Sequence, residues 1–404
     1  MAAMAAVFAI GLVPLGNAAN DPLRNLQYGL DRIQAEPAWA RARGAGVAIA
    51  IVDTGVDLQH EDLRGRFTVG YDFVDDDADA QDGNGHGTHV AGVVAAATDN
   101  GIGIAGVAPA AQIMPLRVLD ADGTGTESDV AAAIRFAVLQ ARSNGLRLVI
   151  NLSLTDLSES GVSATSQQIE DAIREAWFAG AVVVAAVGND DLPFSDYPAA
   201  GPNVLAVGAT DENDRRASFS NRNPLVVAPG ERIVSTYLDV TTPTDHTVYA
   251  SGSGTSMAAP HVAGVAALLL SDGLDNAQAV ERIVRTADDL GTAGRDDDFG
   301  FGRVNAARAL GVTGVPGVAV APPGDIAPGD ALPFEPLATA APQAAPPVVA
   351  EPPPSSSRGV PIAVAAVLVA VAVVSLRWGL AARAERARQS STVWEYEPLN
   401  RPRE

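Results

Sequence analysis

Between residues 46 and 310, short runs of apolar, β-branched residues alternate with longer segments that have the periodicity of an α-helix. The runs are apolar throughout, which is typical of strands buried on both faces. Strands of this kind, separated by helices, predict a mainly parallel sheet with helices on both of its faces. The predicted strands are 47–52, 112–118, 148–153, 181–186 and 204–207, and the predicted helices are 86–97, 128–143, 167–178, 255–270 and 276–286.

Three side chains with complementary chemistry stand at the ends of these predicted elements. Asp53 follows the first strand, and parallel sheets bind their ligands at the carboxyl ends of the strands. His86 follows a Gly-rich turn, and Ser256 stands where an apolar helix begins. A hydroxyl nucleophile needs a general base, and the base needs a carboxylate that orients it and stabilises its cation. The three side chains therefore predict covalent catalysis by a serine.

The segment around each of these residues resembles a known family. Ile-Val-Asp-Thr-Gly at 51–55, Asn-Gly-His-Gly-Thr-His at 84–89 and Gly-Thr-Ser-Met-Ala-Ala-Pro-His at 254–261 resemble segments of the subtilase family, and within it the thermitase-like members. The order Asp, His, Ser is that of subtilisin and differs from the order in chymotrypsin and the α/β-hydrolases. The resemblance covers about residues 21–310. It implies an α/β, subtilisin-like three-layer fold with a mainly parallel sheet between helices. It also implies that the protein hydrolyses proteins or peptides through an acyl-enzyme.

The resemblance also implies roles for individual residues. Asp53, His86 and Ser256 would form the catalytic triad, and the side chain of Asn189 would donate a hydrogen bond to the oxyanion. The substrate would bind as an added strand between two edge segments. The residues implied in substrate binding are Gly123, Thr124, Gly125, Glu127, Ser153, Leu154, Thr155 and Asp190.

Two features of these edge segments depart from the family's pattern or bear on specificity. Thr155 and Asp156 stand where relatives usually have paired glycines, so a different cleft width is expected there. Glu127 and Asp190 would bring carboxylates to two subsites, which predicts a preference for Lys or Arg in the substrate. The alternative is that both carboxylates point into water, where a screened ion pair contributes only about 0–1 kcal/mol.

Two structural Ca²⁺ sites are implied by the same resemblance. The first would use side chains or carbonyl groups of Asp21, Asp62, Ala97, Asn100, Ile102 and Ile104. The second would use an acidic loop whose alternating carboxylates are typical of a chain wrapped around a hard cation. Its ligands would be Asp72, Asp75, Asp77, Asp79 and Gln81. Apart from the resemblance, an acidic loop is more often simply solvated.

The composition excludes several other classes of protein. The chain contains no Cys, which rules out disulfides and thiol catalysis. Its formal net charge is −21, so no nucleic acid is expected as a partner. His89 lies close to His86 in sequence, but the pair lacks the Glu of the helical zinc-protease motif. We therefore expect His89 to be packed within its helix. Separately, we expect the protein to be a monomer.

Two apolar segments predict the location of the protein. Residues 1–18 end in Gly-Asn-Ala, which suits signal-peptide cleavage. Residues 359–378 contain an apolar run close to the roughly 20 residues of a membrane span, and several Arg residues follow it, which predicts a cytoplasmic flank. The predicted organisation is a signal peptide at 1–18, an extracellular peptidase domain at 19–311, a Pro/Ala-rich linker at 312–358, a single transmembrane helix at 359–378 and a cytoplasmic tail at 379–404.

Two alternative functions remain open at this point. A dedicated processing protease of a secretion machine, similar to the mycosins, would share the order of signal peptide, protease, linker and membrane span. Such proteins typically carry disulfides, which this chain cannot form. An inactive pseudoprotease that only binds peptides would need none of the four predicted catalytic residues, which are all present.

Overall fold

The structure, a computed structural model, describes residues 19–154, 166–313, 332–337 and 396–399. A seven-stranded sheet lies at its centre, and all paired strands in it are parallel. The strands are β1 Val47–Asp53, β2 Tyr71–Asp72, β3 Gln112–Arg117, β4 Arg147–Leu152, β5 Val182–Ala186, β6 Leu205–Thr210 and β7 Val226–Pro229. They lie in the order β2-β3-β1-β4-β5-β6-β7, which confirms the predicted parallel sheet.

All five predicted strands are present in this sheet, and the two strands that were not predicted are its edges. β2 has only two residues, too few for a pattern to emerge. β7 has four residues and ends at Pro229, and a proline argues against a central strand. At the edge of a sheet, however, the missing N–H of a proline removes no bond to a further strand.

The five predicted helices are present and begin and end within two residues of the predicted positions, whereas three short helices, at 28–32, 35–38 and 306–309, were not predicted. Local sequence fixes several ends: Thr126 caps one helix by accepting from the N–H of Asp129, and Asp275 with Gln278 forms a capping box at another. The helices are α1 Tyr28–Arg32, α2 Ala35–Ala38, α3 His86–Ala95, α4 Glu127–Ser143, α5 Gln167–Phe178, α6 Thr255–Ser271, α7 Asn276–Arg285 and α8 Ala306–Ala309.

Helix α6 is the most deeply buried helix of the described domain. Every residue from Thr255 to Leu270 is buried, as expected for a helix that is apolar on all sides. It packs against α3 and against strands β1, β4, β5, β6 and β7. Helices α4 and α5 pack against each other and against strands of the same sheet. A residue at the start of α6 is therefore held by most of the core.

Residues 332–335, which lie in the predicted linker, contact the peptidase domain. The indole of Trp177 lies 4.8 Å from the ring of Phe334, between centroids, and its Nε1 donates to the carbonyl of Glu335 over 2.8 Å. The side-chain oxygen of Asn203 accepts from the N–H of Glu335 over 2.7 Å. The sequence does not predict these contacts, because the few apolar side chains around Phe334 are interrupted by Pro333, Glu335 and Pro336 and follow neither a helical nor a strand period.

A second, smaller sheet lies beside α3. It is antiparallel and contains β8 Ile233–Thr236, β9 Tyr249–Gly252 and β10 Tyr396–Pro398, with β9 in the middle. Strand β10 lies in the segment whose sequence predicts a cytoplasmic tail. A segment in the cytoplasm cannot pair with a domain outside the cell, so the observed pairing and that assignment exclude each other in any one molecule.

The predicted signal peptide and the predicted transmembrane helix both lie outside the described residues. In the part of the chain that the structure does describe, no helix combines the length and the apolar character needed to cross a bilayer.

Candidate active site

The predicted carboxylate and the predicted general base of the triad are in direct contact. Asp53 is the last residue of β1 and His86 is the first of α3. Asp53 Oδ1 lies 2.7 Å from His86 Nδ1, and both side chains are completely buried. A proton on Nδ1 donates to the carboxylate, which leaves Nε2 as the ring atom that can take up a proton. The pair therefore has the orientation that a general base requires.

A network of short side chains fixes the first turn of α3, and sequence reasoning did not predict it. Asp82 is buried and accepts from the N–H groups of Gly85 and Thr88 and from the hydroxyl of Thr54. Gly87 has no room for a side chain, because a Cβ there would lie 2.0 Å from the carbonyl oxygen of Gly55. This close approach of α3 to the loop after β1 brings the histidine to the aspartate.

Ser256 lies where the strand β4 and the helix α6 meet. It is the second residue of α6, and its Oγ donates to the carbonyl of Ser153 over 3.2 Å. The Oγ of Ser153 in turn donates to the carbonyl of Ser256 over 2.9 Å. The backbone N–H of Ser256 stands at the N-terminus of α6, where the first N–H groups have no partner within the helix and the dipole favours negative charge.

Asn189 is oriented by the residue that precedes the serine. It follows β5, and its side-chain oxygen accepts from both the N–H and the hydroxyl of Thr255, over 2.8 and 3.0 Å. With the oxygen held in this way, the NH₂ group is the part of the amide that remains to donate. The structure therefore brings Asn189 and the start of α6 together, as the sequence analysis expects of an oxyanion site.

The two predicted substrate-binding edges are placed as follows. Gly125 forms an antiparallel bridge with Leu119, and Gly123 lies at a turn that the N–H of Asp120 closes by donating to the carbonyl of Thr124. On the other side, Ser153 and Leu154 follow β4 and are buried. Thr155 lies outside the described residues, so the predicted change in cleft width stays a prediction.

The two carboxylates predicted to select basic substrates differ in exposure. Asp190 is exposed, and its N–H donates to the side chain of Asn221 over 3.0 Å. Glu127 is half-buried at the start of α4. It lies close enough to Tyr197 to contribute to the raised pKa of that phenol, which is raised mainly by burial.

His89 is packed inside the domain, as expected. It is completely buried, and its Nε2 lies 3.0 Å from the carbonyl of Ile233 and 3.3 Å from that of Ala250. Burial, helped by the neighbouring His86, lowers the pKa of His89 to about 3, so its ring is neutral. Its position supports a structural role in the packing of α3.

The side chains of the first predicted calcium site converge. Asp21 and Asp62 are buried, and Asn100 connects them: its N–H donates to Asp21 Oδ1 over 3.1 Å, and its amide lies 2.8 Å from Asp62 Oδ1. The three predicted carbonyl ligands, those of Ala97, Ile102 and Ile104, belong to the same loop.

The electrostatics of this first site suit a cation. Burial raises the pKa of Asp62 to about 7 and also raises the pKa of Asp21, and the two carboxylates repel each other. Among the described residues, no Arg or Lys forms an ion pair with either of them. Two carboxylates, an amide and carbonyl oxygens are the hard ligands that Ca²⁺ prefers. The donor set therefore fits a calcium ion.

The second predicted site differs because a guanidinium lies among its carboxylates. Arg117 Nη1 lies 2.5 Å from Asp72 and 2.6 Å from Asp75. Gln81 points elsewhere, since its side-chain oxygen accepts from the N–H of Leu58. Asp77 and Asp79 are exposed, and Asp77 accepts from the N–H of Asp79. The structure thus gathers only part of the predicted ligand set. Among the described residues, no group of three or more acidic, His or Cys side chains is arranged to hold a metal.

Comparisons with known proteins find several similar chains. Thermitase from Thermoactinomyces vulgaris is 47% identical over 294 residues, which cover 72% of this chain and 98% of the relative. The thermophilic serine proteinase of Bacillus sp. (strain AK1) is 46% identical over 70% of this chain and 67% of its own. Subtilisin BL from Lederbergia lenta is 42% identical over 71% of this chain and 99% of its own.

Residues 44–302, more than half of the chain, match the model of the subtilase family. This match confirms the resemblance inferred from the three active-site segments. The chain therefore belongs to the subtilase family and is a subtilisin-like serine endopeptidase.

Proposed function

We propose that the protein is an extracellular, membrane-anchored, calcium-stabilised endopeptidase that cleaves peptide bonds through Asp53, His86 and Ser256. The observation that carries this proposal is the 2.7 Å contact between the buried Asp53 and His86. The contact orients the ring so that Nε2 is left to accept a proton. A pseudoprotease would have no use for such a pair.

In the proposed mechanism, Ser256 Oγ attacks the carbonyl carbon of the scissile bond while His86 Nε2 accepts its proton. The imidazolium that forms lies against the carboxylate of Asp53, which stabilises its positive charge. The same proton then passes from His86 to the nitrogen of the leaving amine, and the C–N bond breaks to leave an ester on Ser256. Water, deprotonated by His86, hydrolyses this ester and restores the hydroxyl.

The negative charge that develops on the substrate oxygen needs donors that are in place before the reaction. The N–H of Ser256 at the start of α6 is one donor, and the dipole of a 17-residue helix adds to it. The NH₂ group of Asn189 is the second. Because Thr255 holds the oxygen of this amide, little reorganisation is needed when the charge appears.

The proposal is tested by labelling the purified protein with a fluorophosphonate, followed by peptide mapping. The reagent phosphonylates only a serine that has been activated as a nucleophile. We expect a single modified residue, Ser256. Labelling at another serine, or no labelling of a folded protein that has been purified with calcium, would contradict the assignment of the nucleophile.

Calcium is proposed to stabilise the peptidase domain mainly through Asp21, Asp62 and Asn100. When bound, a calcium ion would neutralise two buried carboxylates that otherwise repel each other. A ligand that binds only the native state raises the free energy of unfolding by mass action. The loop of Asp72, Asp75 and Asp77 is proposed as a weaker second site, because Arg117 already neutralises part of its charge.

Chelation of calcium should lower the melting temperature, and the size of this effect should depend on pH. The pKa of Asp62 is raised to about 7 in the folded chain from an ordinary value of 3.8. Between these values the native state binds more protons than the unfolded state, so the calcium-free protein loses stability as pH rises. Calcium must displace this proton, so its stabilising effect should grow from pH 5 to pH 8.

Scanning calorimetry at each pH, with calcium and with excess chelator, measures this effect. Asp62→Asn should remove most of the pH dependence, whereas Asp79→Asn, at an exposed position of the second loop, should leave it in place. Equal melting temperatures with calcium and with chelator at pH 8 would contradict the proposal.

A modest preference for Lys or Arg is proposed from the carboxylates of Asp190 and Glu127. Because Asp190 is exposed, its contribution is expected to be about 0–1 kcal/mol, which corresponds to at most about a fivefold change in kcat/KM. A peptide library digested at low salt by the wild type and by Asp190→Asn measures this preference. Identical cleavage profiles would show that Asp190 does not select the substrate.

The peptidase domain is proposed to act outside the cell, with residues 1–18 as a signal peptide and residues 359–378 as a membrane anchor. For residues 396–399 we adopt the outer side, because β10 pairs directly with the peptidase domain. With this choice residues 359–378 would attach the protein to the outer membrane surface without crossing the bilayer, in place of the single transmembrane helix that the sequence predicts. This choice differs from the cytoplasmic tail that the Arg-rich flank favours. Protease shaving of intact cells should therefore remove both the domain and an epitope tag placed after Glu404. A protected tag would restore the cytoplasmic assignment.

A further inference from the structure

The segment Tyr396–Leu399, termed here the C-terminal strap, adds a strand to the domain immediately beside the catalytic centre. Its register with β9 pairs Tyr396 with Gly252, four residues before Ser256. The N–H of Leu399 also donates to the carbonyl of Tyr249 over 3.0 Å. An extended segment that occupies a sheet edge in this way uses the main-chain bonds by which a peptide ligand would bind there.

The side chain of Tyr396 fits a specific pocket. Its ring lies 5.1 Å from the ring of His89 and 4.6 Å from that of Tyr237, between centroids. The pocket exists because Gly252 has no side chain: a Cβ there would lie 2.6 Å from Tyr396 Cε1. The strap is therefore recognised by its aromatic residue as well as by its backbone.

The strap lies on the side of the catalytic centre from which the leaving group departs. His86 gives its proton to the leaving amine, so that part of the substrate must pass on the histidine side of Ser256. The β8–β9–β10 sheet packs against α3, the helix of His86, and His89 contacts carbonyl groups of β8 and β9. A strand added to β9 therefore competes for space with substrate residues beyond the scissile bond.

We propose that the C-terminal strap is an autoinhibitory strand that covers the leaving-group side of the active site and releases reversibly. The proposal rests on the function proposed above. The phenolic oxygen of Tyr396 is buried without a hydrogen-bond partner among the described residues. Burial of an unpaired hydroxyl costs free energy. The docked state is therefore less stable than it would be with a partner for this atom, and release of the strap needs less free energy.

The unpaired hydroxyl makes two substitutions of Tyr396 act in opposite directions. Tyr396→Ala removes the ring and should release the strap, whereas Tyr396→Phe keeps the ring, removes the unpaired hydroxyl and should hold the strap more firmly. If the released state is about 10% populated in the wild type, complete release in Tyr396→Ala should lower KM for an extended substrate about tenfold relative to the wild type. Tyr396→Phe should raise the same KM above that of the wild type.

The test uses the full chain and two substrates that share the residues before the scissile bond. One continues for four residues after that bond, and the other ends in p-nitroanilide. The substitutions should change KM for the extended peptide and leave the p-nitroanilide kinetics unchanged. Glu397→Ala is the matched control, because Glu397 is exposed on the opposite face of β10. A synthetic peptide of residues 394–401 should inhibit the Tyr396→Ala chain competitively, and its Tyr→Ala analogue should not.

The outcomes separate this proposal from the one on which it rests. If the wild type does not hydrolyse the p-nitroanilide, the proposed function fails. If it does, but KM for the extended peptide is the same in the wild type, Tyr396→Ala and Tyr396→Phe, the strap is not inhibitory. A change of the same size and direction with both substrates would indicate a general structural effect and would also overturn the proposal.

Discussion

Replacement of Ser256 by Ala is expected to abolish the hydrolysis of casein by this protein. The substitution removes one oxygen atom, and with it the nucleophile and the ester intermediate, while the surrounding helix stays buried. In subtilisin the loss of the corresponding serine lowers kcat by about 2 × 10⁶, and the loss of the histidine costs about as much because the triad acts as a unit. We therefore expect His86→Ala to be nearly as inactive as Ser256→Ala.

A matched control is available at the other end of the same helix. Ser271 is the last residue of α6, and its hydroxyl donates to the carbonyl of Leu268 over 2.8 Å. Ser271→Ala should keep full activity and full fluorophosphonate labelling, whereas Ser256→Ala should lose both. Hydrolysis of casein by Ser256→Ala, at a rate close to that of the wild type, would remove the basis of the mechanism.

The positions of the three predicted triad residues in the fold could be inferred from the sequence, because each of them stands at the end of a regular element. Asp53 ends an apolar strand, His86 begins a helix and Ser256 begins another, so the pattern of elements already places them at one edge of the sheet. The contact of Asp53 with His86 follows from that topology. Short motifs at strand and helix ends therefore carry more information about this fold than its loops do.

The parts that sequence analysis missed depend on contacts between residues far apart in the chain. The carboxylate of Asp82 accepts a hydrogen bond from the hydroxyl of Thr54, 28 positions away, and so connects the start of α3 with the loop after β1. Nothing in the local sequence indicates this bond. The docking of Tyr396 is a more extreme case, since its partners lie more than 140 residues away. Its only local signal is an aromatic pair, Trp394 and Tyr396, in a polar segment.

The two predicted calcium sites show a second limit of what a sequence pattern can predict. The alternating carboxylates of Asp75, Asp77 and Asp79 are conspicuous in the sequence, yet Arg117 from β3 already neutralises Asp72 and Asp75. The pair of Asp21 and Asp62 is inconspicuous, but burial leaves it without a basic partner among the described residues. How much of the negative charge at each site is paired after folding is not visible in a sequence motif. This pairing is partial at the loop that Arg117 contacts and absent, among the described residues, at the buried pair Asp21 and Asp62.

Replacement of Asn189 by Ala is expected to lower kcat by about 10²–10³ with little change in KM, the magnitude known for the oxyanion Asn of subtilisin. The amide is proposed to donate only when charge develops on the substrate oxygen, so its loss should affect the transition state and not the bound substrate. The effect should appear equally with the extended peptide and with the p-nitroanilide, which distinguishes it from the effects expected at Tyr396.

Two further variants separate the donor from the group that orients it. Asn189→Asp keeps an oxygen for the bonds from Thr255 but removes the NH₂ donor and adds a negative charge, so it should be at least as damaging as Asn189→Ala. Thr255→Val keeps the amide and its bond from the backbone N–H. It removes the bond from the hydroxyl, together with the bond that this hydroxyl accepts from the N–H of Gly188 over 3.2 Å. It should therefore lower kcat less than Asn189→Ala does. If Asn189→Ala kept the kcat of the wild type, or if Thr255→Val were the more damaging change, the oxyanion would have to be stabilised by groups other than this amide.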